Sequence, residues 1–557
     1  MDKTTYSPIQ RFWLLLKPDQ KEIKNVYVYA FFYGLVNLSL PLGIQSIINI
    51  IQGGQISTSW IILVAFVILG VAITGVLQVN QLKITENLQQ KIFTRAAFEF
   101  AYRIPKVKME ALYRHYAPEL MNRFFDVISI QKGLSKILID FSTASIQTIF
   151  GLLLLSLYHP FFIVFSLILI ILVYTIFKLT SKNGLRTSLK ESKSKYNVAH
   201  WLEEVARTSV SFKLAGTTEL PMERTNTEVN GYVAARDEHF KVLKNQYMLM
   251  VGFKVLVAAG LLIVGSLLVM EQQMNIGQFV AAEIIILLVL NSVEKLILSL
   301  ETIYDVLTSL EKVGQVTDLE LERNDGINIS ETVEQNALKV ELAEVDFKYP
   351  FQESLMFDKA SLKIKAAERV LITGKSDAGK TTLLYLLAGL YKVESGSVIF
   401  NDLPMGNLNP NYLRSAIGDC FMDELLFEGS VLENITMGRE KATFQNVQWA
   451  VENLGLSDFI KKLPNGYNTP IHSQGKHFSK GIVDKLILAR SIADKPKLLL
   501  VKDAFTSLEQ SEREKIMDFI TSKKNEWTLV VASKDDNWYS KVDRVILSEN
   551  GTLTQLN

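Results

Sequence analysis

The feature that most constrains this chain is the segment Gly374–Thr381, which fits the phosphate-loop pattern G-x-x-x-x-G-K-[ST]. An apolar run, Val370–Thr373, precedes it, and a helix-forming stretch, Thr382–Leu387, follows it. Strand, glycine loop and helix together form the context in which backbone N–H groups bind phosphate oxygens at a helix N-terminus. The alternative is a glycine-bearing turn between strand and helix that binds no ligand.

The loop residues have expected roles in binding a nucleotide. Lys380 is expected to reach the β and γ phosphates, and the Thr381 hydroxyl is the expected protein ligand for Mg²⁺. The predicted nucleotide-binding residues of this segment are Gly374, Lys375, Ser376, Asp377, Ala378, Gly379, Lys380, Thr381 and Thr382.

Hydrophobic residues make up 48% of the 557 residues, and they are concentrated before about residue 300. There they form apolar runs long enough to cross a bilayer as helices. From Leu338 onward, short β-branched runs alternate with helical stretches, which is the pattern of an α/β domain with a phosphate loop. The predicted fold class is therefore an α-helical membrane domain followed by an α/β nucleotide-binding domain.

The composition also predicts where these domains begin and end. A transmembrane domain is expected over residues 1–317, a polar linker over 318–337 and the nucleotide-binding domain over 338–557. Six membrane-spanning helices are predicted at about 26–51, 60–79, 141–158, 160–179, 248–270 and 276–300.

The distribution of Lys and Arg predicts the orientation in the lipid bilayer. The connection 80–140 contains ten of them and 180–247 is similarly rich, whereas 52–59 and 271–275 contain none. By the positive-inside rule, both termini and the nucleotide-binding domain are expected to be cytoplasmic in a multi-pass plasma (inner) membrane protein. The two long connections have helical periodicity, so we expect the membrane helices to continue into the cytoplasm.

Several polar features of the membrane half leave alternatives open. Residues 1–25 form either a helix at the membrane surface or a positively charged flank. Lys254 lies at a depth that allows an ion pair with Glu294 but hardly with Glu283. Glu283 either lines a substrate path or makes a buried interhelical hydrogen bond. Pro41 predicts a kink in the first span.

The charge balance and the cysteine count exclude some classes of protein. A net charge of +1 gives no basic signal, so nucleic acid is not an expected partner. The single cysteine, Cys420, excludes an intramolecular disulfide framework. The first apolar run is too long for the core of a cleavable signal peptide.

Further segments of the sequence resemble the ABC transporter family of the exporter type. Phe347–Pro350 is similar to its adenine-stacking segment, with Tyr349 as the aromatic residue. In the membrane half, Gly231–Ala235 and Asn275–Phe279 resemble the hemolysin-type and bacteriocin-type secretion branch, whose common peptidase-like domain is not found here. Other matching segments are Leu413–Gly418 and Leu426–Ile435, on either side of the Gln loop, and Leu463–Thr469, before the signature.

This resemblance implies a half-transporter that works as a dimer, with each ATP held between one chain's phosphate loop and the other chain's signature. The signature is present as Phe478-Ser479-Lys480-Gly481-Ile482. It keeps Ser479 and Gly481, which are expected to bind the partner's nucleotide in trans.

Other family positions carry different residues in this chain. Met422 replaces the Gln that ligates Mg²⁺, and Lys502 replaces the Walker B aspartate. Asp503 takes the place of the catalytic glutamate, and Ser533 that of the switch histidine. The D-loop aspartate is Glu509, and Asp377 places a carboxylate where the loop usually has glycine.

These replacements imply a domain that binds ATP and hydrolyses it weakly or not at all. Of the expected protein ligands for Mg²⁺, only Thr381 remains, so weak Mg²⁺ binding is expected. Asp503, the one candidate catalytic carboxylate, is a methylene shorter than Glu, and an error of about 1 Å can cost about 10²-fold in rate. Lys502 either neutralises phosphate charge in the place of Mg²⁺ or pairs with Asp377, Asp503 or solvent.

Three functions are consistent with the sequence. The first is an ATP-binding half-transporter of an exporter, paired with a second half-transporter; a heterodimer is favoured over a homodimer because an intact relative would complete one site. The second is a membrane nucleotide sensor or scaffold that binds ATP and a partner, such as a periplasmic adaptor, without turnover. The third is an ordinary exporter that hydrolyses ATP through Asp503.

Overall fold

The computed structural model describes residues 6–52, 58–113, 115–329, 336–421, 424–502 and 505–556. The chain divides into two compact units. The first comprises Met1–Pro105 and His115–Leu319, and the second comprises Lys106–Arg114 and Glu320–Asn557. A short segment from within the helical half of the sequence therefore belongs to the second unit.

The first unit is built from helices. In chain order, the helices up to Thr317 are α1 (Pro8–Leu16), α2 (Gln20–Asn37), α3 (Ser39–Gln52), α4 (Thr58–Arg103), α5 (Met109–Leu112), α6 (Ala117–Met121), α7 (Asp126–Lys136), α8 (Ser142–Ser156), α9 (Pro160–Arg207), α10 (Ser209–Leu214), α11 (Leu220–Met270) and α12 (Ile276–Thr317). Of these, α5 belongs to the second unit.

Among the described residues, six helical stretches are long and apolar enough to cross a membrane. The longest single helix, α11, has 51 residues. At 1.5 Å per residue it is about 76 Å long, against about 30 Å for the hydrocarbon core. The helix therefore continues well beyond its predicted apolar span at 248–270, as expected. The six stretches are Pro8–Gln52, Thr58–Lys106, Ala117–Ser156, Pro160–Arg207, Leu220–Met270 and Ile276–Thr317.

Local sequence signals set several helix ends. Asn275 and Gln278 form a reciprocal capping box at the start of α12. Pro160 is the first residue of α9, where the missing N–H costs nothing. The first span is interrupted between Asn37, the end of α2, and Ser39, the start of α3. This break lies within one turn of Pro41, where the sequence predicts a kink.

The structure also bears on the ion pair and on the N-terminal segment. Lys254 Nζ lies 2.6 Å from Glu294 Oε2, so the predicted ion pair is confirmed. Arg11 of α1 donates to Asp318, with 2.8 Å between Nη1 and Oδ1. Asp318 lies about 27 Å along the helix direction from residue 300, the predicted end of the last span. This contact favours a charged flank over a helix at the membrane surface.

The second unit is an α/β domain with twelve strands among its described residues. They are β1 (Val340–Phe347), β2 (Phe357–Ile364), β3 (Arg369–Thr373), β4 (Ser395–Phe400), β5 (Leu403–Pro404), β6 (Ile417–Cys420), β7 (Gly429–Ser430), β8 (Pro470–Ile471), β9 (Leu498–Lys502), β10 (Thr528–Ala532), β11 (Arg544–Glu549) and β12 (Thr552–Leu556).

The helices of this unit lie between its strands in the sequence. They are α13 (Lys380–Leu387), α14 (Pro410–Arg414), α15 (Val431–Thr436), α16 (Phe444–Asn453), α17 (Ser457–Lys462), α18 (Lys480–Ile492) and α19 (Gln510–Thr521).

The strands form a six-stranded sheet, a four-stranded sheet and a two-stranded sheet. The order of the first is β12-β11-β3-β10-β9-β6, and that of the second is β2-β1-β4-β5. In the six-stranded sheet, β11, β3, β10, β9 and β6 are parallel neighbours. The predicted α/β fold is therefore present.

The six-stranded sheet is buried on both faces. Ile372 and Leu500 belong to one hydrophobic cluster, whereas their neighbours Leu371 and Val501 belong to another. Successive side chains of a strand point to opposite faces, so continuous apolar runs such as Val370–Ile372 can fill two cores.

The strand order brings three candidate segments to one edge. Ala532 of β10 pairs with Ile372 of β3 on one side and with Lys502 of β9 on the other. The carboxyl ends of β3, β9 and β10 are therefore adjacent, and ligands of open α/β sheets bind at this edge.

Candidate nucleotide site

The backbone of the phosphate loop has conformations that side chains tolerate poorly. Gly374 has a φ of +144°, and a Cβ there would lie 2.3 Å from the carbonyl oxygen of Ser548. Gly379 has a φ of +84° and lies against the ring of Phe357. Asp377 has a φ of +64°, so the carboxylate in this loop lies on left-handed backbone that glycine adopts more easily.

Lys380 begins α13, and its ammonium lies on the loop. Its Nζ donates hydrogen bonds to the carbonyl oxygens of Gly374, at 2.9 Å, and of Lys375, at 2.7 Å. The residue is only 9% exposed. Charged phosphate oxygens are stronger acceptors than carbonyl groups, so the ammonium is placed to bind a phosphate that enters the loop. The loop therefore fits the phosphates of ATP.

Tyr349 lies beside the same helix start. Its hydroxyl forms a hydrogen bond with Oγ1 of Thr382, at 2.8 Å. Its ring makes edge contacts with Phe347 and Tyr391, at centroid distances of 5.2 and 5.5 Å. Tyr349 is thus next to the phosphate loop, where an adenine-stacking residue is needed.

One face of Tyr349 is covered by a residue that the sequence did not indicate. The ring of Tyr113 stacks on it with a centroid distance of 5.5 Å and an interplanar angle of 22°. Tyr113 follows α5, in the segment Lys106–Arg114 of the second unit. Glu110, in the same segment, accepts a hydrogen bond from the backbone N–H of Lys392 at 2.9 Å. No local pattern links these positions, since they are far apart in the chain.

Lys502 is the last residue of β9 and is half-buried. Burial raises the pKa of the Tyr349 phenol, while the hydrogen bond with Thr382 and the positive charge of Lys502 act in the opposite direction. The strand order places Lys502 at the same sheet edge as the phosphate loop, with β10 between β9 and β3. The next residue, Asp503, lies outside the described residues.

Ser533, in the place of the switch histidine, is 3% exposed. Its backbone N–H donates to the carbonyl of Ile372 at 3.1 Å, and its Oγ accepts from the N–H of Asp535, also at 3.1 Å. The hydroxyl therefore stabilises the turn after β10. A buried and short side chain cannot extend into the loop as histidine would.

Two lysines that the sequence did not single out as a pair surround the outer side of the loop. Lys534 Nζ donates to Oγ of Ser376 at 2.7 Å. Lys375, whose side chain is 86% exposed, lies 3.3 Å from Oε1 of Glu549. Lys534 follows directly after Ser533 at the end of β10, and this position could have drawn attention to it.

The signature segment lies at the start of α18. Ser479 is the N-cap residue and is exposed, and its side chain makes no capping hydrogen bond. A Cβ on Gly481 would lie 2.6 Å from Leu508 Cδ2, so this glycine permits close packing. Lys480 forms an ion pair with Asp484 at 3.0 Å. An exposed serine therefore lies at the positive end of a 13-residue helix.

The Gln-loop region contains an acid that sequence reasoning missed. Met422 lies outside the described residues, but Glu424 accepts a hydrogen bond from the N–H of Phe421 at 2.9 Å. Burial and the neighbouring Asp419 raise the pKa of Glu424 to about 8. Arg490 Nη1 lies 3.5 Å from its carboxylate.

The described residues around the loop offer few oxygen ligands for Mg²⁺, and Met422 and Asp503 lie outside them. Among the described residues, no group of three or more His, Cys, Asp or Glu side chains could hold a metal ion. Thr381 offers a hydroxyl, while Lys502 brings a positive charge to the same edge. Mg²⁺ prefers several oxygen ligands in octahedral geometry, with carboxylates among them.

Both halves of the chain match family models. Residues 25–293 match the family described as "ABC transporter transmembrane region", and residues 357–506 match the one described as "ABC transporter". Together these two matches cover well over half of the chain.

Individual relatives agree with these matches. An uncharacterized ABC transporter ATP-binding protein, YfiB, of Bacillus subtilis is 28% identical over 245 residues, 44% of this chain and 42% of the relative. The alpha-hemolysin translocation ATP-binding protein HlyB of Escherichia coli O157:H7 is 25% identical over 291 residues, 52% of this chain and 41% of the relative. The alignments thus span about two fifths of the length of these curated relatives.

A solved structure supports the fold over nearly the full length. A bacterial Atm1-family ABC exporter with ATP bound is similar with a TM-score of 0.80, covering 96% of this chain and 94% of that chain. The sequence identity is 18%, so this likeness shows the fold alone.

Proposed function

Because this chain belongs to the ABC transporter family and is a half-transporter of the exporter type, we propose that it binds ATP without hydrolysing it efficiently. The observation that carries this proposal is the chemistry at one sheet edge. There the phosphate loop with Lys380 lies beside a lysine, Lys502, and a buried serine, Ser533. The cradle for phosphate is kept, while the described ends of β9 and β10 offer no carboxylate to Mg²⁺ or to water.

The nucleotide-binding residues proposed here fall into two groups. Tyr349 would stack on adenine, and the loop with Thr381 and Thr382 would hold the phosphates. Ser479 and Gly481 would contact the nucleotide of a partner chain. The negative charge of bound ATP would attract both the phosphate loop of one chain and the signature of the other. The exposed N-cap position of Ser479 supports its proposed contact with the partner chain's nucleotide.

Lys502 is proposed to replace part of the charge that Mg²⁺ provides in other ATPases. Its place at the sheet edge that carries the phosphate loop supports this role, since a fixed cation near the phosphates lowers the repulsion between their oxygens. Asp503 remains the candidate for residual hydrolysis.

A heterodimer is the arrangement that best preserves active export. In a homodimer, both sites would combine Lys502 with the altered signature. With an intact half-transporter as partner, the site formed by the partner's loop would need only Ser479 and Gly481 from this chain. We propose that the nucleotide-binding unit and both termini face the cytoplasm, as the Lys and Arg distribution indicates.

The test is to measure ATP binding and turnover in nanodiscs, with the chain alone and together with candidate partner half-transporters. We expect ATP binding by the chain alone, and turnover only when a partner is present. Turnover by the chain alone that disappears in Asp503→Asn would contradict the proposal. The matched control is Lys380→Ala, which should weaken ATP binding strongly and remove any turnover that belongs to this chain, so that contaminating ATPases are recognised.

A second candidate is a nucleotide-binding scaffold that holds a partner, such as a periplasmic adaptor, without turnover. The burial of Ser533 and the positive charge of Lys502 favour it to the same extent, because both act against hydrolysis. ATP binding without turnover in any pairing would support the scaffold over the transporter.

A further inference from the structure

The first unit contains a cavity of about 610 Å³ that the transport cycle proposed above does not use. It lies between the residues that precede α1, the cytoplasmic part of α9 and the end of α12. We call it the basic pocket, because its lining has three cations, Arg123, Lys193 and Lys312, and one acid, Glu311. The amide side chains of Asn197 and Gln315 also line it.

Lys312 is the unusual member of this pocket. It is 7% exposed, and its ammonium makes no hydrogen bond or ion pair with any residue that the structure describes. Its nearest described interaction is with the ring of Tyr196, whose centroid lies 5.0 Å from Nζ. The carboxylates of Asp126 and Glu311 act on it only at longer range. A buried ammonium without a close counter-ion is costly, since the lost hydration is only partly replaced.

Other cations lie around the same ring and increase this cost. The Arg123 guanidinium lies 3.6 Å from the centroid of Tyr196, and Lys195 Nζ lies 5.1 Å from it. Arg123 Nη1 is buried and has no hydrogen-bond partner. Lys193, on the rim, adds a further positive charge. The pocket therefore has several positive charges and unused donors.

The neighbouring carboxylates have other partners. Asp126 accepts the hydrogen bond of the Tyr196 hydroxyl and lies 3.7 Å from Lys195. Glu119 lies 3.4 Å from Arg123 and 3.2 Å from His200. Glu311 lines the pocket and lies 3.4 Å from Arg11, whose closer partner is Asp318. None of the three pairs with Lys312.

We propose that the basic pocket binds the phosphate group of a small soluble molecule, with Lys312 as its principal ligand. Phosphate oxygens match several cations and amide donors at once. The source is a soluble molecule because Lys312 lies about 18 Å along α12 beyond residue 300, the predicted end of the last span. The headgroup layer extends only about 5 to 8 Å beyond the hydrocarbon core, so a lipid phosphate does not reach it.

The test uses the full chain in phosphatidylcholine nanodiscs, with Lys380→Ala in every sample so that the nucleotide site does not respond. Inorganic phosphate replaces chloride at constant ionic strength, and the thermal unfolding midpoint is measured. We expect phosphate to raise the midpoint by about 2 °C or more. Lys312→Met, which keeps most of the side-chain volume, should remove this shift, and Lys132→Met, on an exposed lysine outside the pocket, should not.

Other outcomes separate the sources and keep the proposal open to refutation. If Lys312→Met does not fold, Lys193→Met on the rim should still reduce the phosphate shift at least by half. A shift that persists in both lysine variants would overturn the proposal. The lipid source is tested by adding phosphatidic acid to the nanodiscs in place of inorganic phosphate. If only phosphatidic acid raises the unfolding midpoint, and Lys312→Met removes this rise, the phosphate site is supported but its soluble source is overturned.

Discussion

At one edge of the six-stranded sheet, the loop after β3 and the ends of β9 and β10 lie side by side, yet their chemistry differs. The loop has the backbone and the buried Lys380 that a phosphate needs. The neighbouring strands end in Lys502 and in a serine whose hydroxyl serves a turn. Phosphate binding and hydrolysis therefore depend on separate groups at this edge, and each can be tested by changing one group at a time.

The largest effect on ATP binding is expected from removing the ammonium of Lys380 in the phosphate loop. Lys380→Ala should weaken ATP binding by about 10- to 100-fold, because hydrogen bonds from a charged donor contribute about 1.5 to 3 kcal/mol. Binding of a fluorescent ATP analogue in nanodiscs measures this. Lys375→Ala, on the exposed lysine of the same loop, is the matched control and should change affinity less than about 3-fold. Equal losses in both variants would remove the distinction between them.

A charge reversal at Lys502, at the end of β9, should weaken ATP binding less than the loss of Lys380 does. Lys502→Asp should weaken ATP binding about 10-fold in EDTA, since a positive charge near the phosphates becomes negative. Added Mg²⁺ should recover most of this loss in the variant while changing the original protein little. If the affinity of the variant is unchanged in EDTA, Lys502 does not act on the phosphates.

The role of Tyr349 is tested by two variants that differ in what they remove. Tyr349→Ala should weaken ATP binding about 3- to 10-fold through loss of the stacking contact. Tyr349→Phe keeps the ring but loses the hydrogen bond with Thr382, and it should retain nearly full affinity. A larger loss in Tyr349→Phe than in Tyr349→Ala would assign the residue to positioning α13 instead.

The smallest effect concerns the segment after β6, where Glu424 is half-buried beside Asp419. The folded pKa of about 8 lies above the ordinary value of 4.5, so the folded state binds an extra proton between these values. Stability should therefore fall as the pH rises through this window and become constant above it. We expect the unfolding midpoint to drop by about 2 to 4 °C between pH 6 and pH 8.

Glu424→Gln should flatten this part of the pH profile, because the amide does not titrate. Glu428→Gln, on a nearby acid with no resolved role, is the control and should retain the drop. A profile that stays equally steep in Glu424→Gln would show that another group is responsible.

Sequence alone predicted the features that rest on local pattern. The apolar runs predicted the six spans and the α/β class, helix rise predicted the Lys254–Glu294 pair, and Pro41 predicted the break in the first span. These succeed because a helix or strand places neighbouring residues at fixed distances.

The features that sequence missed depend on packing between distant segments. Tyr113 covers Tyr349 and Lys534 reaches Ser376, although no pattern joins them. The N-terminal helix has charged residues that suit a membrane surface, and yet Arg11 bonds to Asp318. The burial of Lys312 likewise follows from how α7, α9 and α12 pack, which a single sequence does not determine.

The most direct test of the account is one titration of the purified chain with ATP in nanodiscs, in Mg²⁺ and in EDTA, with phosphate release followed in the same samples. The account predicts that ATP affinity in EDTA stays within about 3-fold of that in Mg²⁺, with negligible phosphate release in both. Affinity that collapses in EDTA, together with Mg²⁺-dependent release that Asp503→Asn abolishes, would contradict it.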